Sequence, residues 1–116
     1  MVLDKLPLVS RGLTRKFPRG DDPFQLMTCL LEECGELAQE VNRFEGSGIK
    51  HEKHGAPNRE RLAEEASHAL RALFQIVQYY QMEEEVAAAL EATYERLQQA
   101  GYIDQSEFVS SNETRS

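Results

Sequence analysis

Two pairs of residues in this chain have the types and spacing to do metal chemistry. The first is Glu33 and Glu36, inside the string Leu31-Glu32-Glu33-Cys34-Gly35-Glu36-Leu37. Residues three apart on a helix project from nearly one side, so the two carboxylates would stand close together. Like charges at that spacing repel unless a cation lies between them, and Mg²⁺ and Mn²⁺ prefer oxygen ligands. The second pair is Glu65 and His68, in Glu64-Glu65-Ala66-Ser67-His68, again three apart. If the two helices that carry these pairs pack antiparallel, three carboxylates and one imidazole converge. The competing reading of each pair alone is a solvated acidic face with a boundary histidine. Two details weigh against it. Glu33 lies beside the apolar stripe of its helix, and Gly35 in mid-helix costs on the order of 1 kcal/mol relative to alanine. A helix tends to carry such a glycine where another backbone or a ligand comes close.

The elements that must position these groups are legible as helices. Asp22-Pro23-Phe24-Gln25 is a start signal: Asp22 caps, Pro23 suits the first helical position and Gln25 completes a capping-box pattern. Met27, Leu30, Leu31, Cys34, Ala38 and Val41 then recur at helical spacing. The spacing predicts a helix from about Asp22 to Glu45, stopped by Gly46-Ser47-Gly48. Asn58, just after Pro57, caps a second helix to about Gln81, with Leu62, Ala66, Ala69, Leu70, Leu73, Ile76, Val77 and Tyr80 as its stripe. Each spans about 36 Å at 1.5 Å per residue. A third helix runs from about Glu83 to Ala100. Its acidic first turn suits the positive end of the helix dipole, Val86, Leu90, Tyr94 and Leu97 form its stripe, and Gly101 marks its stop. No strong breaker stands at Gln81-Met82, so the last two helices read as a kinked continuum. Residues 3–16 suggest a short fourth helix, with Pro7 and Gly12 counting against it. The fold expected is all-α, an antiparallel helical bundle. Its parts are a basic segment over 1–20, a helical domain over 21–103 and a polar, Ser-rich tail over 104–116.

Composition limits the function. The chain has 116 residues, 41% hydrophobic and 28% charged, as expected of one ordinary globular domain with a modest core. No run of about 18 apolar residues exists for a membrane span, and no apolar stretch of a secretory signal opens the chain. The net charge is −7, which argues against duplex nucleic acid, since phosphate-backbone binding needs an excess of Lys and Arg. The first 20 residues carry five basic groups and one acid, the remainder eight and 19. A basic, acid-poor start is also a feature of organellar targeting segments. Cys29 and Cys34 point to different sides of one helix, so they are not expected to pair, and two free thiols suit a reducing, cytoplasmic location.

The string Leu30-Leu31-Glu32-Glu33-Cys34-Gly35-Glu36-Leu37-Ala38-Gln39-Glu40-Val41 resembles the first motif, Glu-Glu-x-Gly-Glu-Leu-Ala-Glu, of the MazG-like all-α nucleoside triphosphate pyrophosphohydrolases. The segment from Leu62 to Leu70 is similar to that superfamily's second motif, Glu-Glu-x-x-Asp. The resemblance covers about residues 22–82, and 28 residues separate Glu36 from Glu65. It implies cleavage of a nucleoside triphosphate between the α and β phosphates, with Mg²⁺ or Mn²⁺ as cofactor. It also implies a homodimer or homotetramer with the substrate pocket built between chains. Glu33, Glu36 and Glu65 carry over as metal ligands, and one of the carboxylates, Glu33 or Glu36, would orient or deprotonate the attacking water.

His68 departs from the pattern, which has Asp there. A neutral imidazole removes one negative charge from the cage and should favour Mn²⁺, Zn²⁺ or Fe²⁺ over Mg²⁺, or disable the site. Arg15, Lys16, Arg19, Lys50 and Lys53 are the candidate substrate-binding cations at the outer phosphates. Phe17 and Phe24 are the candidates for stacking on a base. His51-x-x-His54 has zinc-like spacing but no cysteine partners. Two other readings remain open. A catalytically lapsed relative would bind nucleotides without turnover. Alternatively, Glu65-x-x-His68 in two copies, with Glu33 or Glu36 from each chain, would match a carboxylate-bridged di-metal helical bundle.

Overall fold

The computed structural model describes residues 3–46 and 58–107, which form four α-helices, a short 3₁₀ turn and helical residues 105–107, with no strand among them. The helices are α1 (Leu6–Lys16), α2 (Pro23–Phe44), α3 (Arg59–Tyr79) and α4 (Glu83–Gln99), and the turn is Leu3–Lys5. The all-helical class is therefore as expected. No described helix is long and apolar enough to cross a membrane. The chain divides into two compact units, one over residues 2–80 and one containing residues 81–116.

In the first unit, α2 and α3 pack along their lengths and α1 crosses α3. The helix starts follow their caps. Asp22 Oδ1 accepts from the N–H groups of Phe24 (2.9 Å) and Gln25 (3.4 Å), and Asn58 Oδ1 accepts from those of Glu60 (2.9 Å) and Arg61 (3.1 Å). These side chains take up donors that have no partner inside the helix. The capping box at Asp22 is only half formed. The Asp22 N–H donates to the Arg19 carbonyl instead, and the Gln25 amide turns to Cys29 Sγ at 3.5 Å. Helix α2 ends at Gly46, whose φ of 70° is the left-handed stop that glycine supplies. Of the expected loop, residues 47–57 lie outside the described residues, and with them Lys50, Lys53 and the His51–His54 pair.

Helix α1 is joined to α3 through polar groups. Ser10, fully buried, donates to the Arg71 carbonyl at 3.2 Å. Gln75 Nε2 donates to Thr14 Oγ1 at 3.0 Å and Gln78 Nε2 to the Pro7 carbonyl at 2.9 Å. Pro7 sits in the first turn, where its missing N–H costs nothing. Gly20 closes the link to α2 because a Cβ there would run into the backbone carbonyl of Thr14.

The apolar stripes read from the sequence divide between inside and outside. Leu26, Ala72 and Val77 are the buried apolar residues among those described, while Met27, Leu31 and Val41 of α2 and Leu70, Leu73 and Tyr80 of α3 are exposed. The side of α2 turned to α3 carries Leu26, Leu30, Glu33, Leu37 and Glu40. Helix α2 thus has apolar residues on two sides, and a helical wheel alone does not say which side a short bundle covers. Gly35 also differs from expectation: nothing lies within 4 Å of where its Cβ would be.

In the second unit, α4 is a separate helix and not a continuation of α3. Gln81 adopts φ 52°, a left-handed conformation that ends α3 without a glycine. The end of α4 forms a paired cap, with the Gly101 N–H on the Gln98 carbonyl (3.1 Å) and the Tyr102 N–H on the Leu97 carbonyl (2.9 Å). Of the tail expected to be flexible, residues 104–107 are described, and 105–107 are helical, with the Asp104 carboxylate accepting from the Ser106 N–H at 3.0 Å.

Candidate metal centre

Helices α2 and α3 run antiparallel at the site, with Glu33 level with His68 and Glu36 level with Glu65. One ligand-capable atom from each of these four residues lies within 4.8 Å of the other three. The two i,i+3 pairs therefore meet as the spacing predicted. Glu33, Glu65 and His68 are mostly buried, with side-chain exposures of 25%, 17% and 21%, while Glu36 is exposed.

The imidazole is held at the middle of the cluster. His68 Nδ1 is 3.3 Å from Glu33 Oε2 and 3.4 Å from Glu65 Oε2. Its other nitrogen, Nε2, faces Glu64 Oε1 at 3.8 Å, one turn back on α3. At 3.8 Å this is an electrostatic contact and not a hydrogen bond, so Glu64 adds charge beside the ring without fixing its orientation. Sequence reasoning left out Glu64, although its i,i+4 spacing to His68 was available as a signal.

The electrostatics leave a deficit of positive charge. Glu33 Oε2 and Glu65 Oε2 are shut off from solvent and accept no hydrogen bond. The imidazole Nδ1 is near both, at 3.3 and 3.4 Å, but forms a hydrogen bond with neither, and a buried carboxylate oxygen left so is costly. Burial pushes the Glu65 carboxyl above the usual carboxylate range, and hydrogen bonding to Glu36 and the charges of Glu36 and Glu33 push it the same way, with His68 opposing. Even a fully protonated His68 offsets only one of three carboxylates. A divalent cation would supply the balance, and two unsatisfied oxygens point to where it would bind. The donor set of three carboxylates and one nitrogen suits a small divalent ion that accepts both oxygen and imidazole.

The remaining predicted residues are placed around this cluster or apart from it. Arg19 and Phe17 line a cavity that also touches Glu33 and His68. The Arg19 guanidinium is paired with Asp22 Oδ2 at 2.6 Å, and this contact, more than the N–H groups at the helix start, holds the Asp22 carboxyl below its usual range. Arg15 and Lys16 are exposed near the end of α1, with Lys16 Nζ 5.4 Å from the Phe17 ring centre. Phe24 is 83% exposed. Cys29 and Cys34 are free thiols, as their spacing implied.

No protein-family model, no curated protein and no solved structure matches this chain.

Proposed function

We propose that this chain is a metal-dependent nucleoside triphosphate pyrophosphohydrolase, converting a triphosphate and water to a monophosphate and pyrophosphate. The observation that carries the reading is the convergence of Glu33, Glu36, Glu65 and His68 within 4.8 Å, at the positions where the sequence resembles the MazG-like motifs. The fold class and the charge deficit of the cluster support it.

Glu33, Glu65 and His68 Nδ1 would hold the ion, with Mn²⁺ preferred to Mg²⁺ because one donor is nitrogen. A bound divalent ion would neutralise the charge that develops on the phosphates as the bond breaks. Glu36 is the exposed member of the set, so its carboxylate borders solvent as well as Glu65. It would orient a water and accept its proton as the oxygen attacks the α-phosphorus in line, with pyrophosphate leaving.

Self-association belongs to the same reading. Only three apolar residues are buried among those described, and Met27, Leu31, Leu70 and Leu73 remain on the surface of the α2–α3 pair. A second copy of the chain is the occupant that the resemblance implies, and it would bury these side chains.

One observation favours a second reading. His68 Nδ1 lies 3.3 Å from Glu33 Oε2 and 3.4 Å from Glu65 Oε2, two of the oxygens that would hold an ion. As an imidazolium it could stand in for part of the cation, giving a relative that binds nucleotides without turnover. Incubation with each common ribo- and deoxyribonucleoside triphosphate, in Mg²⁺ and separately in Mn²⁺, decides between them. The enzyme reading expects pyrophosphate and monophosphate with at least one substrate. Nucleotide binding with no pyrophosphate under either metal would support the second.

A further inference from the structure

A cavity of about 500 Å³ runs from the carboxylate–imidazole cluster toward the turn between α1 and α2. Glu33 and His68 form its wall on the cluster side, while Leu13, Phe17, Leu26 and Ala72 make the far wall apolar. Its volume is in the range typical of small-molecule sites. Such walls suit an uncharged, flat ligand portion and would exclude a string of phosphates.

Arg71 lines the same cavity, one turn beyond His68 on α3. Its carbonyl is taken by Ser10. Its guanidinium has no ion pair or hydrogen bond among the described residues. Arg19, in the same wall, is already engaged by Asp22. A guanidinium that the described carboxylates leave unpaired has forked donors to offer an outside anion, and that fork matches a phosphate.

We propose that this cavity seats the nucleoside monophosphate half of the substrate, with Arg71 holding the α-phosphate where the cavity meets the cluster. The ligand's identity rests on the pyrophosphohydrolase reading. The cavity is walled by one chain, whereas the resemblance places the substrate pocket between chains. The nucleoside lies against Leu13, Phe17, Leu26 and Ala72. Arg71 fixes the phosphorus beside Glu33 and His68, and the β and γ phosphates point away from the apolar wall.

The test is calorimetric titration of the full chain with nucleoside monophosphates and with the matching nucleosides, each in EDTA and in Mn²⁺. Wild type should bind at least one monophosphate more tightly than its nucleoside. Arg71→Gln should weaken that monophosphate by about tenfold or more and leave the nucleoside unchanged, with Arg71→Lys in between. A merely structural role for Arg71 would weaken both ligands equally, and that result overturns the assignment. Ala72→Leu, which fills the apolar wall, should weaken both ligands while the Mn²⁺-dependent rise in melting temperature persists. If it fails to fold, the Arg71 comparison stands by itself. The failures of the two proposals are separable. Turnover with an unchanged KM in Arg71→Gln removes the cavity assignment and leaves the enzyme. Monophosphate binding that needs Arg71, with no pyrophosphate from any triphosphate, removes the enzyme and leaves the cavity.

Discussion

Replacing Glu65 by Gln removes one negative charge from a cluster whose ligand atoms all lie within 4.8 Å of one another. Two unit charges at that separation repel by about 3.5 kcal/mol at an effective dielectric constant of about 20. Glu65 faces two such neighbours, Glu33 and Glu36, and one opposing group, His68. With His68 charged, roughly one uncompensated repulsion remains. The upward push on the Glu65 carboxyl has the same origin, since its neutral form escapes that repulsion. The metal-free Glu65→Gln variant should therefore be more stable than wild type by about 1–3 kcal/mol at neutral pH. For a unit of this size each 1 kcal/mol shifts the melting temperature by about 4–8 °C. Saturating Mn²⁺ should narrow the gap, and reverse it where the metal-free difference is below about 2.7 kcal/mol, because a ligand at 100 times its dissociation constant adds that much to wild type and the variant has lost a ligand. Thermal melts in EDTA and in Mn²⁺ measure both effects. A Glu65→Gln variant that is less stable in EDTA, beside a wild type that Mn²⁺ leaves unmoved, would refute the reasoning. The carboxylate would then be a structural partner of His68 and not a ligand waiting for an ion.

Further outcomes follow from the same geometry. The folded-state pKa of Glu65 is raised, so its contribution to stability is full below the ordinary carboxylate pKa and is lost as pH rises through the raised value. Metal-free wild type should lose stability over that window in melts against pH, and Glu65→Gln should flatten the slope. His68→Asp should move the preference from Mn²⁺ toward Mg²⁺, read as the ratio of the two metal-induced melting shifts; an unchanged ratio would mean that Nδ1 is not a donor. Gly35→Ala should stabilise α2 by about 1 kcal/mol, since open space surrounds the position; a loss of stability would show that something outside the described chain packs there. Asp22→Ala should cost about 1 kcal/mol in chemical denaturation by removing the α2 cap.

The helices and their starts were legible because caps act locally. Asp22 and Asn58 each bind N–H groups within three residues, so their sequence context determines the outcome. The cluster was legible for the same reason at one remove. Two i,i+3 pairs fix four side chains on two helices, and one antiparallel contact brings them together. What stayed hidden depends on non-local contacts. The burial of Leu26 and the exposure of Leu31 are set by where α3 lies, which the α2 stripe does not encode. The break at Gln81 was missed because a glutamine in the left-handed region carries no residue-type signal. Arg71 was missed because only the fold brings α1 and the α1–α2 turn to its side of α3.

The central claim is tested most directly by pyrophosphate release. Purified wild type and Glu36→Gln would be incubated with the common nucleoside triphosphates in Mn²⁺, with products resolved as monophosphate, diphosphate, pyrophosphate and phosphate. The account predicts equal amounts of monophosphate and pyrophosphate from wild type, and a rate lower by about 100-fold or more in Glu36→Gln. Diphosphate and phosphate as the products, or pyrophosphate release that survives in Glu36→Gln, would contradict it.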